Sequence, residues 1–355
     1  MSGARRGCGV ALAVLALCFA AAPGRSAAAP TGFFGVASSA NLVRGDFAKM
    51  GKLGLTLRVP LNWFEVEPQR GVYDFSGFDR TVAEAAKAKV RLLPFVTGSP
   101  AWMAGDASVP PLGKSRAAAW SEFLRRLVDR YGPRGSFWAE RGSKQPIRRW
   151  QIWNEPNFRI FWHPRPSPRA YVDLLHRSAR VIRDADPGAT VVAAGLAPVE
   201  GGLFPWEFLR RMYRVPGARQ AFDVMAIHPY STSLGALEYE LRAMRKAMAR
   251  AGDGAKPLLV TELGVASDGA YPNPFDKGLR GQARFLRRAY DLMLEHRRRW
   301  RLAGAYWFTW RDTMAPDPHC VFCGFAGLYD ARGEPKPAWW ALTRTVRRAG
   351  GAGVR

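Results

Sequence analysis

The chain has 355 residues, 48% hydrophobic and 23% charged. These values exclude a disordered, collagenous or coiled-coil polypeptide and leave room for one large α/β barrel. Lys and Arg number 53 against 29 Asp and Glu, a net charge of +24, which raises nucleic acid, membrane surfaces and acidic polymers as partners. The arginines are spread over helical stretches, as in Arg125-Arg126, Arg210-Arg211, Arg287-Arg288 and Arg297-Arg298-Arg299, with no basic arm or nucleic-acid motif. Most of the charge therefore reads as solvated helix faces, and nucleic acid is not an expected partner.

At the amino end, Arg5 and Arg6 precede an apolar run from Val10 to Ala22, followed by the small residues Ala27, Ala28 and Ala29. This is the layout of a secretory signal peptide over residues 1–29. It predicts a secreted or cell-surface protein whose mature domain spans residues 30–355. The run is short of the ~18 or more residues of a spanning helix, so no stable membrane span is expected after cleavage. Cys18 lacks the small residue expected directly before a lipidated cysteine. Of the four cysteines, Cys8 and Cys18 leave with the signal, and Cys320 and Cys323 read as a loop disulfide of an oxidising compartment. A zinc half-site with His319 is the alternative, but no second ligand pair completes a tetrahedron.

Beyond the signal region, short apolar runs alternate with amphipathic stretches. Strands are predicted at Gly32–Ala37, Leu55–Pro60, Val90–Val96, Ile147–Trp153, Thr190–Leu196, Phe222–His228, Pro257–Glu262 and Ala303–Trp310. Helical spacing is found at Asp46–Leu53, Asp79–Ala88, Arg116–Tyr131, Pro168–Ala185, Trp206–Tyr213, Leu237–Ala251 and Gly281–Arg298, with stop signals such as Gly132-Pro133 and Pro187-Gly188. Eight strands in such alternation predict an α/β fold, a single (β/α)8 TIM barrel. A doubly wound sheet would more often carry a G-x-G-x-x-G after its first strand, and none is there.

Two of these strands end in a glutamate: Trp153-Asn154-Glu155-Pro156-Asn157 after the fourth, and Val260-Thr261-Glu262-Leu263-Gly264 on the seventh. Both point to the same barrel mouth, where the loops that carry barrel chemistry gather. Two carboxylates across one cleft are what glycosidic cleavage requires. The leaving oxygen needs a proton, while the developing oxocarbenium ion needs a nucleophile or a water-activating base. Such chemistry calls for no metal and no cofactor.

The two glutamate motifs resemble those of the glycoside hydrolases of clan A. The similarity runs from about Thr31 to Val346 and includes Leu57-Arg58-Val59-Pro60, Trp63…Glu67-Pro68…Gly71-Val72-Tyr73-Asp74 and Gly327-Leu328-Tyr329-Asp330…Lys336-Pro337-Ala338-Trp339-Trp340. Within the clan it is nearest the xylosidase and iduronidase family or the cellulase-like family.

The resemblance implies the (β/α)8 fold and retaining chemistry, mostly on β-linked sugars. It implies that Glu155 is the general acid/base, that Glu262 is the nucleophile and that Asn154 grips the sugar 2-hydroxyl. It also implies that Arg58 and Tyr230 contact the nucleophile, that His228 shapes the sugar site and that Trp310 forms a platform beneath the cleaved sugar. His228 and Tyr230 are two residues apart, so on a strand both face one way.

Trp102, and Trp162 or His163, are weaker candidates for flanking subsites. Glu65 and Glu67 also follow a strand, in a segment that the resemblance makes structural. The Cys320-x-x-Cys323 loop departs from the clan pattern and is expected to cover one end of the cleft.

The expected function is an exported retaining hydrolase of an oligo- or polysaccharide, with the basic surface weakly favouring an acidic glycan. A transglycosidase using the same intermediate and a non-catalytic polysaccharide-binding barrel stay open as alternatives.

Overall fold

A computed structural model describes residues 28–38, 42–198, 202–269, 272–313 and 320–350. Residues 1–27 of the predicted signal peptide, and His319, lie outside the described residues. Among those described, no helix is long and apolar enough to cross a membrane.

Eight parallel strands close into a barrel in chain order: β1 (Phe34–Ala37), β2 (Thr56–Asn62), β3 (Leu92–Thr97), β4 (Arg149–Ile152), β5 (Thr190–Leu196), β6 (Val224–Ile227), β7 (Leu258–Leu263) and β8 (Leu302–Phe308). Strand β8 returns to pair with β1, Phe34 opposite Ala305 and Ala37 opposite Phe308. The predicted (β/α)8 barrel is therefore the observed fold. Its strands read as near-continuous apolar runs because one face meets the barrel interior and the other meets helices. Leu93, Val192, Val224, Ala226, Leu259 and Tyr306 form the interior cluster, and a larger apolar layer joins strands to helices. The interior is tight: a Cβ at Gly35 would lie 2.4 Å from the Tyr306 ring.

The helices follow the apolar spacing. Pro168–Ala185 has the bounds read from sequence, with Ser167 accepting the Ala170 amide at 3.3 Å and Pro168 in the first turn. Its buried stripe, Tyr171, Leu174, Leu175, Ala179 and Ile182, faces the sheet. The helix expected over Gly281–Arg298 runs instead from Gly278 to Glu295, and a separate turn covers Arg297–Trp300.

One long helix went unread, Pro337–Arg348, which packs on Gly278–Glu295. Its signal lies in Pro337 at the start and in buried Ala338, Trp339, Ala341, Leu342, Thr345 and Val346 at helical spacing. Strand β8 also stops at Phe308, two residues short of the expected Trp310, with consequences for the site.

Candidate active site

Glu155 and Glu262 line one cleft of about 1550 Å3 at the carboxyl ends of the strands, the face on which barrel loops build sites. Glu262 lies on β7 itself. Glu155 follows β4 through a sharp reversal in which Trp153 and Glu155 take left-handed backbone, φ 70° and 41°. Side chains other than glycine hold such angles only when their surroundings over-determine them, and here they do. The Trp153 indole is buried and donates to the Phe161 carbonyl at 2.6 Å. The Glu155 amide donates to Gly195 O at 3.2 Å, and the Asn157 side chain ties the same segment to Ala197 and Leu203.

Arg58 organises the floor of the site. Fully buried on β2, its guanidinium lies over the Phe95 ring, 3.9 Å from the centroid. Its Nε donates to Gln151 Oε1 at 2.7 Å, Nη2 donates to Asn154 Oδ1 at 2.8 Å, and Nη1 donates to Glu262 Oε1. The planar fork thus ties β4 and the segment just after it, through Gln151 and Asn154, to Glu262 on β7. Asn154 is turned by this bond so that its oxygen faces Arg58, which leaves its amide NH2 for the cleft that it lines. Glu262 Oε2 accepts the Tyr230 hydroxyl at 2.5 Å, so both oxygens of that carboxylate receive donors.

Glu155 has different company. Its Oε1 lies 2.6 Å from His228 Nδ1, while the same nitrogen is 3.7 Å from Glu262 Oε2. The imidazole is fully buried, its Nε2 has no partner among the described residues, and it fits only because position 195 is glycine. A Cβ there would lie 2.0 Å from Nε2.

These surroundings push the two carboxyls apart. For Glu155, burial raises the pKa above the ordinary glutamate range, against the opposing pull of His228. For Glu262, burial also acts upward, but the charges of His228 and Arg58 and the hydrogen bonds from Tyr230 and Arg58 outweigh it and bring the pKa down. Tyr230 itself is held well above its usual value, first by burial and then by Glu262, so it is a neutral donor. The site therefore offers one carboxyl disposed to keep a proton beside one disposed to stay charged.

Glu155, His228 and Glu262 have donor atoms all within 4.8 Å of one another, a spacing that could hold a metal ion. The Arg58 guanidinium on Glu262 supplies positive charge at that position without one.

Not every residue singled out in the sequence is in the cleft. Trp310 is fully buried and packs on Tyr329 and Trp339, with ring centroids at 4.7 and 5.6 Å. It cannot present a face to a sugar, because strand alternation ends with β8 at Phe308. The ring that lines the cleft is that of Phe308. Trp102 sits edge-on to Trp63 and donates to the Glu67 carbonyl at 2.9 Å, away from the cleft lining. Trp162 is buried between Trp153 and Tyr171.

Cys320 and Cys323 are bonded to each other, and their short loop lines the cleft. Phe322, held between them, packs on the Tyr230 ring at 5.1 Å and stacks on Phe275 at 4.6 Å. Gln151 was missed in the sequence. Its only signal is a side-chain amide between Trp150 and Ile152 in a strand otherwise buried around it.

With this geometry in view, the likenesses to known proteins can be placed. In sequence, no curated protein matches the chain. A glycoside hydrolase family 42 profile, described as beta-galactosidase, matches residues 37–108, from the end of β1 to the segment after β3. A family 39 glycoside hydrolase from the gut symbiont Bacteroides cellulosilyticus WH2 superposes with a TM-score of 0.67 at 20% identity, over 88% of this chain. The chain spans 63% of that protein's length.

A family 5 enzyme variant from Streptomyces cattleya, solved in complex with Manβ1-4GlcNAc, gives a TM-score of 0.68 at 18% identity, over 90% of this chain and 81% of the other. Xylanase 10B from Thermotoga petrophila RKU-1, in complex with xylobiose, gives 0.63 at 14% identity, over 90% and 94%. The chain thus has the barrel fold of the clan A glycoside hydrolases that its motifs resemble.

Proposed function

We propose that this chain is an exported retaining glycoside hydrolase that cleaves β-linked O-glycosides by double displacement. The observation that carries this reading is the pair of buried carboxyls at the ends of β4 and β7, biased to opposite charge states in one open cleft. In this reading Glu262, ionised and aimed by Arg58 and Tyr230, attacks the anomeric carbon. Glu155 gives its proton to the leaving oxygen. The covalent glycosyl ester then meets water, from which Glu155 takes a proton as the sugar leaves. Asn154 donates its amide to the sugar 2-hydroxyl, a bond that tightens as the oxocarbenium character grows.

The separation of the two carboxylates supports retention over inversion. One oxygen of each carboxyl lies within 4.8 Å of one of the other, a close pairing in keeping with retaining enzymes, whose carboxyls stand ~5–5.5 Å apart, where inverting pairs are spread to about 6.5–9.5 Å to admit a water. The apolar run behind Arg5 and Arg6 and the Cys320–Cys323 bond support export, since such bonds persist in oxidising compartments. The ligand named for the family 5 neighbour, Manβ1-4GlcNAc, supports a β-linked substrate. The test is hydrolysis of a panel of aryl β-glycosides and polysaccharides by the parent, Glu155→Gln and Glu262→Gln proteins. Variants that act as fast as the parent on a substrate the parent cleaves would sink the assignment.

A further inference from the structure

The positive charge is not spread evenly over the fold. Residues 278–301 and 337–348 carry eleven arginines against two acids, Asp291 and Glu295. The two long helices of this stretch, Gly278–Glu295 and Pro337–Arg348, pack on each other and run in one direction. Near their starts Gln282 and Lys336 both donate to the Phe325 carbonyl, at 3.4 and 3.0 Å, and toward their ends Arg287 and Arg348 both reach Asp291.

Each helix turns a basic stripe outward at helical spacing. On the first, Arg280, Arg284, Arg287 and Arg288 are exposed. On the second, the stripe is Trp340, Arg344, Arg347 and Arg348. Exposed Arg298, Arg299 and Arg301 continue the face toward the amino ends of the strands, where Arg297, Arg298 and Arg301 line a hollow of about 470 Å3. Asp276 and Glu334, ahead of the two helices, mark where the basic face stops.

Most of this charge is unanswered. Apart from Arg287 and Arg348, no exposed arginine of the stretch has a carboxylate at ion-pair distance among the described residues. Across the barrel, on Lys114–Tyr131, Arg125 and Arg126 pair with Glu122 and Arg130 pairs with Asp79. Two apolar side chains stand among the unpaired cations, Leu279 and Trp340, each half exposed. The chain also enters the domain here. The Ala29 amide donates to the Ala349 carbonyl at 2.9 Å and Arg297 to the Ala28 carbonyl at 3.4 Å, so the segment that holds the apolar run Val10–Ala22 joins the fold at this face.

A broad face of unpaired arginines matches anionic groups presented in a plane, and an indole beside them suits the boundary between headgroups and acyl chains. A soluble polyanion would answer the charge but leave Leu279 and Trp340 in water. We propose that the flank formed by these two helices, with the arginine-lined hollow at its base, docks the protein on an anionic phospholipid bilayer. The hollow lies at the amino ends of the strands and the cleft at their carboxyl ends, so docking leaves the cleft open. This inference is independent of the glycosidase reading.

The test is cosedimentation of the purified protein with vesicles of phosphatidylcholine, with and without phosphatidylglycerol. Binding is expected only to the anionic vesicles and should weaken as salt rises. Arg284→Glu, Arg288→Glu, Arg344→Glu and Arg347→Glu together should weaken it at least about a hundredfold at physiological salt. Lys114→Glu, Arg116→Glu, Arg169→Glu and Arg180→Glu together make the same change in net charge on the helices after β3 and β4, across the closed barrel. They should cost less than about threefold, because salt screens charges that far from the bilayer. Trp340→Ser should cost about fivefold with the salt dependence kept.

Thermal melts check that both fourfold variants fold, and the matching Arg→Gln and Lys→Gln sets repeat the comparison with half the charge change. An equal loss in the two sets would mean that net charge alone attracts the protein, and would overturn the proposal. It would also be overturned by no binding to anionic vesicles. Binding to soluble polyphosphate as tight as to vesicles, indifferent to Trp340→Ser, would make the face a polyanion site and overturn it as well. Each of these outcomes leaves the glycosidase reading untouched.

Discussion

The ends of β4 and β7 hold carboxyls that are equally buried, Glu155 at 7% and Glu262 at 8% exposure, yet displaced in opposite directions from the ordinary glutamate range. Burial raises both. What separates them is the set of donors: a guanidinium and a phenol on Glu262, and an imidazole on Glu155. A third buried carboxyl extends the comparison. Glu240, also 7% exposed, receives only the Ser231 hydroxyl at 2.7 Å, and burial pushes it up to about 7. Depth in the fold therefore does not decide charge. The neighbours that other strands bring to each carboxyl do.

Removing the charged member should have the largest effect. Glu262→Gln is expected to lower kcat/KM by at least ~10³-fold on every substrate, since in the proposed mechanism it is the carboxylate held by Arg58 and Tyr230 that forms the glycosyl ester. Steady-state assays against the parent check this. Glu155→Gln should cost about 10²–10⁴-fold on alkyl glycosides, but much less on glycosides of acidic phenols, which depart without a proton. That contrast in leaving-group dependence separates the two roles.

The donor set itself can be broken. Arg58→Met should leave Glu262 buried without its cation, costing about 3–5 kcal/mol in denaturant unfolding. It should also move the acid limb of the pH–rate profile upward. In the parent that profile is expected to be a bell, because the proposed mechanism requires Glu262 ionised and Glu155 protonated. It falls on the acid side as Glu262 takes up a proton and on the alkaline side as Glu155 loses one.

Glu240 makes a stability prediction of smaller size. Its folded pKa is raised, so its contribution is full below the ordinary glutamate value and is lost as pH rises through about 7. The loss is on the order of 3 kcal/mol, and Glu240→Gln should flatten the pH dependence of unfolding across that window. The smallest effect is expected from reducing the Cys320–Cys323 bond. This frees the Phe322 ring that packs on Tyr230, and a fall in kcat of about threefold, reversed on reoxidation, is expected for a hydroxyl aimed less firmly.

Much of this arrangement was legible in the sequence because it sits where strand periodicity ends. Asn154-Glu155, Glu262, Arg58 and His228-x-Tyr230 all lie on or just beyond apolar runs of the right length, and all gather at one mouth. Trp310 was misread for the complementary reason. Alternation predicts facing only while the strand continues, and β8 stops at Phe308. Gln151 was hidden because a buried amide is recognisable only once its partners on other strands, Arg58 and Ala193, are brought to it. The cleft-lining rings of Phe158, Phe161, Phe275 and Phe322 were illegible because they belong to loops, whose ring directions are set by tertiary contacts and follow no local period.

The most direct test of the paired carboxyls is the anomeric configuration of the first product, read by NMR during hydrolysis of the best-cleaved β-glycoside. The β-anomer appearing first, with slower conversion to α in solution, is the expected result for attack by Glu262 on one face and return of water from the opposite face, the one the leaving group has left. The α-anomer appearing first would contradict it, since water would then have displaced the leaving group directly and Glu262 would not be the nucleophile.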